Sequence, residues 1–196
     1  MKTYNFFIVE VEKKAKDTLK MSSGVELYID PKFNEFEHRT QSGKVIAAPF
    51  KYEHGVKKGD ELYFHHLVVM NDGQPLTGYD NHYLVAFDPK ECINSQAIAY
   101  KSAETGEIHP LSTWVLVEQI QEDRDEKSDV IELVELKKKA ITKGRIVYEN
   151  QVTEDLGVKK GDVVAFKENM DYDIEVDGKA YGRVRATDLM YVEETV

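Results

Sequence analysis

The sequence predicts an all-β protein built as two small β-barrels in tandem, on three observations. The hexapeptide GVKKGD occurs at residues 55–60 and again at 157–162, and each copy runs into an apolar, strand-like stretch. The segments that flank the two copies match in kind and in order. Short runs rich in Val, Ile, Tyr and Phe, bounded by turn residues, recur along the chain, which is the pattern of closely spaced strands.

The hexapeptide is itself a turn. Gly59 and Gly161 supply the positive φ that a tight turn needs, and Asp60 and Asp162 can hydrogen-bond the backbone beyond it. Downstream, Leu62 and Phe64 match Val164 and Phe166 at a spacing of 102 positions. Upstream, Gly43 leads a strand to residue 47, and Gly144 leads its match to residue 148, at a spacing of 101. The first strand of each half, at 6–10 and 114–118, repeats at 108, and the last, at 95–100 and 187–192, repeats at 92. A spacing that drifts means loops of different length, because insertions collect in loops and not in packed strands. Further strands are read at 61–69, 83–87 and 180–184, with Asp177 and Gly178 as a hairpin turn and residues 71–73 as another. Residues 129–141 fit either a helix with Val130, Leu133, Val134 and Ala140 on one face, or an extended loop. Gly106 and Pro110 interrupt regular structure in 101–112, so the two domains are placed at 1–104 and 112–196.

Composition excludes several classes of function. A formal net charge of -10 over 196 residues argues against nucleic acid as a partner, since phosphate binding rests on Lys and Arg. Lys137, Lys138 and Lys139 then read as a solvated loop face. A single cysteine, Cys92, allows neither an intrachain disulfide nor a cysteine-based zinc cage, and it reads as a structural thiol. His65 and His66, read as strand neighbours, would face opposite ways, so no metal site is expected. The acidic residues lack the paired framing of general acid and base catalysis, and no GxGxxG follows a strand. Neither an enzyme nor a cofactor is expected. No apolar run reaches about 18 residues, and the N-terminal stretch has acidic residues within it, so a cytoplasmic protein without a membrane partner is expected.

With these parts in order, the second half resembles the small chaperonin subunit, the GroES-like co-chaperonin family, over most of residues 113–192. The parts are a first strand at 114–118, a long loop at 122–143, a strand led by Gly144, a Val-Lys-x-Gly-Asp turn at 158–162, a hairpin across 169–184, and a closing strand at 187–192. The first half holds matching parts at 6–10, 13–42, 43–47, 56–64, 68–83 and 95–100. The resemblance implies two tandem GroES-like small β-barrels, each with a long mobile loop and a β-hairpin roof loop. It also implies assembly of copies into a ring, and docking of the mobile loops on a large, GroEL-like, ATP-dependent chaperonin whose folding cavity the ring closes. Two-domain members are found in plastids and divergent ones in phages, so the plastid stroma or the cytoplasm of a phage-infected host would suit such a chain as well. Seven domains cannot be shared evenly among two-domain chains.

The same resemblance implies which residues dock. In the family a short aliphatic tripeptide in the mobile loop makes the contact. Here it would be Val25, Glu26 and Leu27, after Ser22, Ser23 and Gly24, and in the second half Ile131, Glu132 and Leu133. The family's middle residue is usually apolar, where this chain has Glu. In an extended tripeptide the outer pair shares one side and the Glu takes the other, which keeps the aliphatic pair usable. Leu27, Tyr28 and Ile29, or Val134, Glu135 and Leu136, are neighbouring choices of the same alternation. Ile131 stands 13 positions before Gly144, as in the family's loop, whereas Val25 stands 18 before Gly43. The rival reading keeps the barrels but makes the chain a structural or binding module of a larger assembly, phage assemblies included, without capping.

Overall fold

The structure, a computed structural model, describes residues 1–12, 18–20, 24–28, 39–70, 73–120, 143–167 and 172–193. The chain divides into two compact units, Met1–Trp114 and Val115–Val196. Regular structure among the described residues is almost entirely antiparallel β.

The first unit contains β1 (Phe6–Glu10), β2 (Thr18–Lys20), β3 (Glu26–Tyr28), β4 (Ser42–Ala47), β5 (Glu61–Phe64), the short helix α1 (Leu67–Met70), β6 (Gln74–Pro75), β7 (His82–Ala86), β8 (Ala97–Lys101) and β9 (Ile108–Pro110). Strands β2 and β3 pair with each other, and the rest form one sheet in the order β6-β7-β1-β4-β5-β8-β9. The second unit contains β10 (Trp114–Gln119), β11 (Lys143–Ile146), the short helix α2 (Gln151–Asp155), β12 (Val163–Phe166), β13 (Tyr172–Val176), β14 (Lys179–Arg185) and β15 (Leu189–Glu193). Its sheet runs β13-β14-β10-β11-β12-β15, the order of the first sheet with, among the described residues, no strand in the place of β9.

The likeness extends to register. Val9 pairs with Val45 and Glu10 with Lys44 in the first unit, as Val117 pairs with Ile146 and Glu118 with Arg145 in the second. Gly43 faces Leu62 as Gly144 faces Val164. A one-residue slip would turn every apolar side chain to the wrong face, so the same apolar spacing selects the same register in both sheets.

The repeated hexapeptide makes the same turn twice. Gly55 and Gly59 have φ of +72° and +99°, and Gly157 and Gly161 have +71° and +97°. The Lys57 N–H donates to Asp60 Oδ2 at 2.7 Å, and the Lys159 N–H to Asp162 Oδ2 at 2.8 Å. The Gly59 N–H reaches the Val45 carbonyl and the Gly161 N–H the Ile146 carbonyl, at 2.8 and 2.9 Å, tying each turn to the strand beside it. Val56 and Val158 fall inward and join the cores. The first core gathers around Phe7, Leu62, Phe64 and Val85, and the second around Val117, Ile146, Val164 and Phe166.

Three local expectations are corrected and one element is added. The strand expected over 61–69 stops at Phe64 and gives way to α1, with Val68 and Val69 buried. Gly73 allows this close turn, since a β-carbon there would overlap the Val68 carbonyl oxygen. Residues 101–112, expected to interrupt regular structure, form a hairpin in which β9 covers the edge of β8 and Leu111 enters the first core. Pro110 fits because β9 is an edge strand and loses no ladder bond on its open side. The sequence reading passed over α2, which Asn150 opens with its side chain accepting from the Thr153 N–H at 2.9 Å, while the Thr153 hydroxyl takes the Asn150 N–H. Finally, His65 and His66 lie beyond the end of β5 and not within it; their rings stack at 4.7 Å, so strand alternation does not separate them. The turn at residues 71–73 lies outside the described residues except for Gly73, and residues 129–141 lie outside them altogether.

Candidate docking arms

Each long segment leaves and re-enters its sheet between the same two strands. In the second unit Gln119 at the end of β10 pairs with Gly144 in β11, and the Ile120 N–H donates to the Lys143 carbonyl at 3.1 Å. The chain between 120 and 143 therefore starts and ends at one point. Lys143 is further held by an ion pair to Glu193, 2.6 Å away. In the first unit Glu10 at the end of β1 pairs with Lys44 in β4, and the buried Val11 donates its N–H to the Asn81 carbonyl at 2.9 Å.

The glycine at each point of re-entry is a packing requirement. A β-carbon on Gly43 would stand 2.9 Å from the Glu10 carbonyl oxygen, and one on Gly144 would stand 2.7 Å from both Cβ and Cγ2 of Val117. Only glycine lets the returning strand lie this close to the departing one.

The first segment holds a small two-stranded sheet where the sequence was read as a continuous loop. Strands β2 and β3 pair with Leu19 opposite Leu27 and Thr18 opposite Tyr28. The signal was present, with Gly24 at φ +81° between two short alternating runs. Val25 is 54% exposed, Leu27 47% and Tyr28 78%. Val25 immediately precedes β3, and Glu26 and Leu27 lie in it. Ile131, Glu132 and Leu133 lie outside the described residues. Aliphatic side chains left in water are worth about 1.5–3 kcal/mol each when a groove buries them fully. A two-stranded hairpin by itself gains little stability in water.

Other ring and polar contacts among the described residues brace the fold. Asp177 and Gly178 have φ of +52° and +75°, which closes the β13–β14 hairpin as a tight two-residue turn. Arg183 stacks over the Tyr172 ring at 4.7 Å on that hairpin. Tyr148 packs edge-on against Tyr181, and burial, with help from a hydrogen bond to Tyr181, raises its phenol well above the ordinary range. Cys92 is buried in a short 3-10 turn. Burial, and to a lesser degree the charge of Arg39, lowers the His66 pKa. Among the described residues no three His, Cys, Asp or Glu side chains come together as a metal site, and no helix is long and apolar enough to cross a membrane.

Residues 107–192 match the family described as chaperonin 10 Kd subunit. The match takes in every strand of the second unit together with β9, and it supports a GroES-like domain there. A comparison with curated proteins finds no match.

Proposed function

We propose that the protein is a co-chaperonin-type docking factor with two GroES-like domains, which binds a large ATP-dependent chaperonin through one arm from each domain and assists protein folding. The observation that carries this is the family match at 107–192, which spans the whole arm between β10 and β11. The first unit supports the reading by its strand order, its registers and its turn, which repeat those of the matched unit. Val25 and Leu27 are the anchors of the first arm, with Glu26 between them, and Ile131 and Leu133, flanking Glu132, are those of the second. No catalysis and no cofactor enter this function.

Energetics favour weak single arms acting together. Burying two aliphatic side chains yields about 3–6 kcal/mol, and fixing each residue of an arm costs about 1–2 kcal/mol. One arm then binds feebly. Several arms carried on an oligomer of the chain raise the effective concentration of each next arm, giving capture that is firm and still reversible.

The test is co-migration with a bacterial GroEL-like chaperonin in the presence of ATP, by native gel or size exclusion. The wild-type chain is expected to co-migrate, and the combined variant Val25→Asp, Leu27→Asp, Ile131→Asp and Leu133→Asp is expected not to. A complex indifferent to all four changes would move the docking site elsewhere. No complex with the wild-type chain would turn the reading to a structural module that keeps the domains without capping.

A further inference from the structure

The sheet of the first unit carries a cleft of about 300 Å³ on the face away from its core. That is the small end of ordinary ligand sites. The floor follows from register. Phe6 pairs with Ala86 and Leu84 with Gln74, so these side chains line the cleft, while Phe7 and Val85, one residue along, turn into the core. Ile93, 76% exposed, adds an aliphatic lip beside Asn94 and Gln96.

None of the lining residues is charged; the polar ones are three carboxamides, Gln74, Asn94 and Gln96. Gln96 Oε1 accepts from the Ala86 N–H at 3.0 Å, and Asn94 Nδ2 donates to Glu91 Oε2 at 2.8 Å. These partners fix how each amide is turned, because an N–H requires the oxygen of Gln96 and a carboxylate requires the nitrogen of Asn94. Among the described residues, Gln96 Nε2 and Asn94 Oδ1 are left without a hydrogen bond. A free donor and a free acceptor beside an apolar floor match a secondary amide, whose carbonyl accepts and whose N–H donates.

The second unit treats the same position differently. Phe64 pairs with Ala97 as Phe166 pairs with Leu189, which sets Gln96 in the place of Asp188. The backbone agrees, since the His65 N–H donates to the Gln96 carbonyl and the Lys167 N–H to the Asp188 carbonyl, both at 3.1 Å. Asp188 is buried and spends its charge within its own unit, on Arg185 Nε at 2.7 Å and Lys167 Nζ at 3.2 Å. Gln96 keeps a neutral donor uncommitted at the position that the second unit closes with ion pairs.

We propose that this cleft binds one uncharged unit of an extended polypeptide. The aliphatic or aromatic side chain of that unit lies on Phe6, Leu84 and Ala86, its carbonyl accepts from Gln96 Nε2, and its N–H donates to Asn94 Oδ1. The charge of the site selects this occupant, because a charged side chain would give up hydration and find no counter-ion among the lining residues. None of the cleft residues belongs to either arm.

The experiment is saturation-transfer NMR on the full chain with no chaperonin present, so its outcome is separate from that of docking. The probe is the peptide acetyl-Ala-Leu-Ala-N-methylamide, which is expected to bind at about 1 mM or tighter. Replacing its Leu by Asp or by Lys, or methylating every peptide N–H, is expected to weaken binding about tenfold. Gln96→Glu keeps an acceptor for the Ala86 N–H and removes the donor, and it is expected to weaken binding about tenfold. Ile93→Ser changes an exposed side chain on which the fold does not depend, and it is expected to weaken binding about threefold. No binding of the neutral peptide to the wild-type chain, equal binding of the Leu and Asp peptides, or either variant binding as the wild-type chain does would each overturn the proposal.

Discussion

A β-carbon on Gly144 would stand 2.7 Å from two atoms of Val117, and neither is the free end of a flexible side chain. Gly144→Ala is therefore expected to cost about 1–3 kcal/mol, read as a lower urea midpoint in the unfolding of the full chain. The two turn aspartates differ in what they hold. Asp60 is buried and accepts from both the Lys57 N–H and the Ala103 N–H, whereas Asp162 is less buried and accepts from the Lys159 N–H. Asp60→Ala leaves two donors without their acceptor and is expected to cost about 1–3 kcal/mol, more than Asp162→Ala. His66 gives a pH dependence with a definite sign. Its folded pKa lies below the ordinary 6.5 because burial disfavours the charged ring, so the unfolded chain takes up the proton first. Stability is expected to fall as pH drops below about 6.5, until the folded ring is protonated as well, and His66→Gln is expected to remove that slope from the pH–Tm profile.

Among the elements, strands with strict apolar spacing were legible and their ends were not. The strands around Phe7, Val117 and Val164 could be read from the chain because both faces of their sheets ask for Val, Ile and Phe. α1 could not, since Leu67, Val68, Val69 and Met70 carry as much β preference as the strand before them. What bends the chain there is the close approach of Gly73 to the Val68 carbonyl. α2 had a legible start in Asn150 and Thr153, and Asn150→Ala is expected to lower stability by about 1 kcal/mol in the same urea experiment. β9 was hidden by its proline, which a central strand would exclude and an edge strand admits. Of the candidate site, the place where each arm re-enters the sheet was readable from Gly43 and Gly144. That the first arm contains a paired hairpin was readable only in outline, because three-residue strands carry little pattern.

At the scale of the whole molecule, the proposed docking depends on number as much as on contact. Disabling only the first arm with Val25→Asp and Leu27→Asp, or only the second with Ile131→Asp and Leu133→Asp, is expected to shorten the lifetime of the chaperonin complex about tenfold or more, and disabling both to abolish it. Surface plasmon resonance on immobilised chaperonin with ATP reads this directly, and equal lifetimes for all variants would remove the arms from the interface. The sequence by itself determined that the chain says one thing twice: GVKKGD, a glycine-led strand before it and an apolar strand after it dictate the turn and the register, because backbone sterics and side-chain alternation act over a few residues. Only the tertiary structure decided which sheet edges are closed. That β8 is covered depends on where β9 folds back, and that is a contact between segments whose local patterns do not refer to each other.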